Sequence, residues 1–322
     1  MRKFNLKKTL KDPYQQMLLM NDIKKFALAI LQIAIIVGVC YVILSPVIGM
    51  FVNSISSDKD AYDPMVFCFP KQPTLEKYKR VILRMDYWPT ISRNIVYVLA
   101  LTLVQVFVCS MVGYGFARFE FPFKKLLFGC VVVTIVLPVH TIMLPLYVTF
   151  RNFDPLGLMT ALKGGAMNLM STPWPMFVLS FLGCGLRSGL YIYIFNQFFR
   201  GLPKEIEEAA FVDGAGMWYT YFNIMLKNAS PAVITVTVFS LVWQFNDTFY
   251  SNLFLVSDKI VISKKISTLQ AVIANEDKIL ELILQQFHMH AGIILILLPI
   301  VIIYLLLQRY FIEGVERSGI VG

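Results

Sequence analysis

Three carboxylates, Glu205, Glu207 and Glu208, stand just before Ala209-Ala210, and Asp213-Gly214 follows shortly after. Carboxylates in a first helical turn meet the positive end of the macrodipole, and Pro203 suits the position where a missing donor costs nothing. The pattern predicts a short helix from about Lys204 to Val212. It stops at Asp213-Gly214, since glycine takes the left-handed conformation other residues resist. A second helix, from about Ala215 to Lys227, leads on to Pro231. So short a first helix is unstable alone. Ala209 and Ala210 give it a nearly flat face, with Ile206 and Phe211 as apolar anchors. From these residues alone, a docking surface for another protein and an amphipathic helix at a membrane interface stand equal.

A second group of polar side chains, Gln105, Asn196, Trp243, Gln244, Asn246 and Asp247, with Tyr250 beside them, lies in apolar surroundings, where polar groups are costly. They offer hydrogen bonds and ring faces to a polar solute. Interhelical hydrogen bonding and snorkelling are the structural alternative. Arg187 and Asp247 are the charges placed well inside apolar stretches. Paired intramembrane carboxylates or histidines, which ion-coupled transport would want, are missing. No Gly-x4-Gly-Lys-Ser/Thr run is present to cradle nucleotide phosphates. His288 and His290 are two apart with no HExxH run, and the five cysteines lack metal-type spacing. No catalytic group, metal or cofactor is expected in this chain.

The elements that must carry these groups are membrane helices. Hydrophobic residues make up 57% of the 322, charged residues 15%, and the mean hydropathy is +0.66, against about 45–50% and about 25% in soluble domains. Apolar runs long enough for about 30 Å of hydrocarbon predict helical spans. Five are clear: Ala27 to Phe51, Asn94 to Ala117, Leu126 to Phe150, Pro231 to Tyr250 and Ala291 to Gln308. A sixth, Pro173 to Phe199, is interrupted at Gly183 to Gly189 and reads as two half-helices or a short span after a re-entrant turn. Prolines such as Pro46, Pro138 and Pro299 predict kinks. The first span lacks a small-residue cleavage site and is expected to stay.

The net charge of +9 is concentrated in short loops on one side. Arg2, Lys3, Lys7, Lys8, Lys11, Lys24 and Lys25 precede the first span, and Arg118, Lys124 and Lys125 fill the loop between the second and third. These segments are expected to be cytoplasmic, with both termini inside. The charge therefore speaks for a lipid bilayer and not for nucleic acid. The organisation expected is a basic tail (1–26), a first span (27–51), an extracytoplasmic loop (52–93), a five-span core (94–308) holding the elbow at about 203–228, and a cytoplasmic tail (309–322).

Glu208-Ala209-Ala210, three residues, Gly214, nine residues, then Ile224-x-Leu226 resembles the docking loop of bacterial ABC importer permeases, with Lys227 where that family has proline. Gly113 to Phe119, Leu137-Pro138, Leu144 to Tyr147, Asn196 to Arg200 and Gln308 to Phe311 resemble its carbohydrate-uptake branch, close to the smaller permease of maltose and multiple-sugar importers. Trp243 to Asp247 stands where the family has Trp-Asn-Asp. The resemblance implies an all-α, six-helix, type I (MetI-like) permease core with short cytoplasmic docking helices, in the bacterial cell membrane. It implies that Glu207, Glu208, Ala209, Ala210, Asp213 and Gly214 dock an ATPase. The partners implied are an ATPase subunit dimer that uses the ATP, a second homologous permease subunit and an extracytoplasmic solute-binding protein delivering a sugar or oligosaccharide. A permease for another solute class and an ion-coupled secondary transporter are the alternatives.

Overall fold

The computed structural model describes residues 13–63, 69–255 and 260–319. Arg2, Lys3, Lys7, Lys8 and Lys11, together with Pro64 and Cys68 of the first long loop and the last three residues, lie outside them. Among the described residues every element is helical, apart from one isolated bridge between Phe153 and Met167. The chain divides into two units, Met1–Leu75 and Glu76–Gly322.

The first unit is dominated by α1, Pro13–Ile55, whose 43 residues contain the expected span from Ala27 to Phe51. At about 1.5 Å per residue this is about 65 Å, roughly twice a hydrocarbon core, so the helix continues well beyond it. After α1, the buried Asp60 accepts the backbone N–H groups of Ser57 at 3.3 Å and Gln72 at 3.0 Å. Thr74 N–H donates back to the Ile55 carbonyl at 2.7 Å, closing the segment on the end of the helix.

The second unit opens with α2 (Glu76–Arg84) and α3 (Tyr87–Arg118), then α4 (Lys124–Val136), α5 (Met143–Arg151) and the short α6 (Leu158–Lys163). The stretch expected to be broken is two helices, α7 (Trp174–Phe181) and α8 (Ser188–Gly201). Next come α9 (Glu205–Val212), the segment α10 (Met217–Asn228), α11 (Ser230–Phe245) and α12 (Phe249–Phe254). Last are α13 (Ile262–Glu276) and α14 (Leu282–Gly319).

Among the described residues three helices, α1, α3 and α14, are long and apolar enough to cross a membrane, and the number is five if each of two sharply bent pairs is one span. Leu126 to Phe150, expected as a single helix, turns by 106° between α4 and α5. The cause is Pro138: the residue before a proline is driven out of the helical region, and Leu137 takes ψ 124°. Its partner bend, 77° between α10 and α11, falls just before Pro231. The helix expected from Pro231 to Tyr250 ends at Phe245, and the last span begins at Leu282 rather than Ala291.

The two long loops are not bare. One holds α2 and the other α13, and an arginine ties them. Arg84 meets Asp277 through Nη2 at 2.6 Å and through Nε at 3.1 Å, and Glu276 through Nη1 at 2.5 Å. The hydrogen bond from Arg84 holds the Asp277 carboxyl below its usual pKa. A carboxyl depressed in this way stabilises the fold above its unfolded pKa and loses that contribution as pH falls through the folded value. Asp277→Asn is therefore expected to lower the melting temperature of the detergent-solubilised protein at pH 7, and the difference is expected to shrink as pH falls below the usual carboxylate range.

α3 packs more extensively on α8 than on any other helix, and Gly113 allows the close approach. A Cβ built there would lie 2.5 Å from the Phe195 Cβ and 3.0 Å from the Asn196 nitrogen. The Asn196 side-chain amide also reaches the Gly113 carbonyl, at 3.5 Å. Overpacking of this kind costs about 1–3 kcal/mol, more where backbone must move. Gly113→Val is expected to abolish the monodisperse peak in detergent size exclusion, whereas Gly115→Ala, where a Cβ meets only a ring edge at 4.0 Å, leaves it intact.

Candidate functional site

The elbow is built by local signals. α9 closes in a Schellman turn: Gly214 N–H donates to the Phe211 carbonyl at 3.0 Å and Ala215 N–H to the Ala210 carbonyl at 2.9 Å. Gly214 sits at φ +82°, the left-handed region where a Cβ is penalised. α10 follows with a π turn from Thr220 to Met225.

One side of the elbow faces inward. Glu207 and Ala210 are buried, and Glu207 Oε2 lies 3.0 Å from Nε of Arg118 at the end of α3. The two charges meet as an ion pair rather than as an aligned hydrogen bond. Their side chains are only 10% and 6% exposed. Arg118 also donates through Nη2 to the Leu202 carbonyl at 2.9 Å, so one guanidinium fixes both the approach to α9 and its first turn. The opposite side is open. Glu208, Ala209, Asp213 and Gly214 are exposed, and around them Phe211, Val212, Met217, Trp218, Tyr219 and Phe222 make an apolar, aromatic surface. Trp218 and Phe222, four residues apart, stack at 6.2 Å. This aromatic contribution from α10 was not singled out from the sequence, although spacing of four on one helix face was its signal.

The second group does not converge on one site. Gln105 is fully buried and donates through Nε2 to the Leu186 carbonyl at 2.6 Å and the Ser188 hydroxyl at 2.9 Å. Its Oε1 accepts from Ser240 at 2.8 Å and from Gln244 at 3.1 Å. Every hydrogen-bonding position of Gln105 is used to hold α3, the break before α8 and α11 together, so Gln105 and Gln244 act as interhelical ties. Trp243 stacks with Tyr191 at 6.0 Å and Phe239 at 5.6 Å, with the Arg187 guanidinium 5.0 Å from its centroid. Asn246 is exposed after α11. Asp247 accepts from the backbone of Tyr250 at 3.2 Å and of Ser251 at 2.8 Å, and from the Ser251 hydroxyl at 2.9 Å, capping α12. Asn196 lies apart from these, on the wall of a cavity of about 870 Å3 at the basic loop, with Arg118, Lys124, Arg200 and Lys204.

Another cavity, of about 580 Å3, opens where the bend between α4 and α5 faces the break between α7 and α8. Thr134, His140, Cys184, Arg187, Ser188 and Tyr250 are among its walls. Thr134 and His140 were not picked out from the sequence. Their signal is that Leu137-Pro138 and Gly183 to Arg187 interrupt two apolar runs, and interrupted helices expose polar backbone only where it lines a cavity or is buried in protein. No cluster of three or more His, Cys, Asp or Glu suited to a metal occurs among the described residues.

Residues 106–317 match the family described as binding-protein-dependent transport system inner membrane component. Among curated proteins the chain is similar to the trehalose transport system permease protein SugB of Mycobacterium tuberculosis, 27% identical with 87% of this chain and 93% of that one covered. It is also similar to the arabinooligosaccharides transport system permease protein AraQ of Halalkalibacterium halodurans, at 24% identity over 79% of this chain and 81% of that one. Its fold is that of a chain in the crystal structure of a bacterial ABC transporter involved in the import of the acidic polysaccharide alginate: TM-score 0.73 and 20% identity, with 89% of this chain and 98% of that one covered.

Proposed function

Because this chain belongs to the family of binding-protein-dependent transport system inner membrane components, we propose that it forms half of the translocation path of an ABC importer for a sugar or oligosaccharide. It is coupled to its motor through the elbow from Glu208 to Gly214. The relatives named for trehalose and arabinooligosaccharide transport support the solute class. The observation that carries the coupling is the two-sidedness of α9: a buried ion pair ties its inner side to α3, while its outer side offers apolar surface beside a fixed turn. An ATPase subunit pair pushing on that outer side moves α3 through Arg118, and the helices around the Gln105 ties move with it. The chain works with a second homologous permease subunit and an extracytoplasmic solute-binding protein. ATP is bound and used by the ATPase subunits, and both termini of this chain lie in the cytoplasm.

Orientation and docking are tested together by placing Ala209→Cys in a cysteine-free version of the chain. It is expected to cross-link to the copurifying ATPase subunit and to resist a membrane-impermeant maleimide added to intact cells. Labelling from outside, or an assembled transporter without the cross-link, removes the docking role.

A further inference from the structure

Arg187 lies at the start of α8, and α8 has 14 residues before it ends at Gly201, just ahead of the elbow. Fourteen residues rise about 21 Å, less than the about 30 Å of a hydrocarbon core. With the elbow in the cytoplasm, Arg187 therefore lies within the hydrocarbon layer, about 9 Å short of its far side. A cation at that depth is costly unless it meets an anion or a water-filled cavity. Arg187 makes no ion pair with any acid among the described residues, and Asp247 commits both carboxylate oxygens to α12. What Arg187 does have is a wall of the 580 Å3 cavity, which is within the range of about 300–1,000 Å3 typical of ligand sites.

The walls of that cavity contain no aspartate or glutamate, so nothing on them balances Arg187. The guanidinium carbon lies 5.0 Å from the centroid of the Trp243 ring, a cation–π contact that leaves its N–H groups for a ligand. Thr134, whose hydroxyl donates to the Val131 carbonyl at 2.6 Å and keeps its lone pairs, and Tyr250 line the same cavity. N–H groups beside hydroxyls suit a ligand with an oxyanion and several hydroxyl groups.

We propose that this cavity takes an anionic saccharide, with Arg187 as the residue that binds its carboxylate or phosphate. The proposal rests on the reading of the chain as a saccharide importer and narrows the cargo. It is tested on the whole importer with its solute-binding protein, in cells, by uptake of three labelled probes: a uronic-acid disaccharide, glucose 6-phosphate and a neutral disaccharide. Wild type is expected to import the uronate or the sugar phosphate, and which of the two it imports identifies the anion. Arg187→Gln is expected to lower that uptake about tenfold or more, the loss of one charge-assisted contact. Arg187→Lys keeps the charge and is expected to retain an intermediate rate, with copurification of the ATPase subunit establishing that each variant assembles. Uptake of the neutral disaccharide alone, unchanged in Arg187→Gln, overturns the anionic cargo while leaving the importer reading in place. If none of the probes enters, although the ATPase subunit copurifies and its activity responds to the binding protein, the saccharide reading falls and this proposal with it.

Discussion

Gly214→Val is expected to reduce solute uptake about tenfold or more while the chain still inserts in the membrane. The residue holds φ +82°, where a β-branched side chain is a severe outlier and where an L-residue pays about 1–2 kcal/mol. No atom lies within 4 Å of a Cβ built there, so the substitution meets no steric block and acts through the backbone alone. Relieving the strain means opening the two hydrogen bonds that close α9 on Phe211 and Ala210, which lets the exposed apolar surfaces of α9 and α10 swing apart. An elbow with a loosened turn transmits less displacement. Gly214→Asn is the control, since asparagine visits the left-handed region readily, and it is expected to keep most of the uptake. The measurement is uptake and ATPase activity of the reconstituted importer, normalised to the amount of chain in the membrane. If valine and asparagine behave alike, the turn has no part in coupling.

The elbow was readable because its signals are local, an acidic first turn and a glycine stop within eleven residues of Pro203, but the alanine pair expected to form one flat face is split, with Ala210 buried and Ala209 exposed. The membrane class was equally plain, because hydrocarbon admits few charges and no open backbone. What could not be read was anything set by which helices meet. Gln105 looked available to a solute, yet four partners from two separate stretches saturate it. No property of residue 105 by itself predicts that Ser188, Ser240 and Gln244 will face it. Asp247 reads from the sequence as a group inside a span or at its outer end, for a related reason. The apolar run continues past it to Tyr250, but the helix stops at Phe245 and the carboxylate turns to cap α12. The bend at Leu137-Pro138 stands between these cases: the proline announced a kink, while its size, 106°, depends on the packing around it.

Arg118→Leu is expected to cost about 3–5 kcal/mol, the penalty for leaving one member of a buried ion pair uncompensated. The setting meets the conditions for the large value, because both side chains are at least nine-tenths buried and meet at 3.0 Å. The arginine also holds the Leu202 carbonyl, so its loss frees the approach to α9 as well as Glu207. Glu207→Leu alone strands the guanidinium in the same way, but leaves the Leu202 contact and is expected to cost somewhat less. The double variant Arg118→Leu, Glu207→Leu removes both charges and is expected to recover much of the stability, since apolar replacements of buried pairs are often neutral or better. Melting temperatures of the assembled transporter in detergent read these differences. Strictly additive losses would mean that the two charges do not depend on each other. Function separates from stability in the double variant. If force passes from α9 to α3 through this pair, the double variant folds and binds the ATPase subunit, yet hydrolyses ATP with uptake reduced, because the apolar contact that replaces the ion pair has no fixed direction.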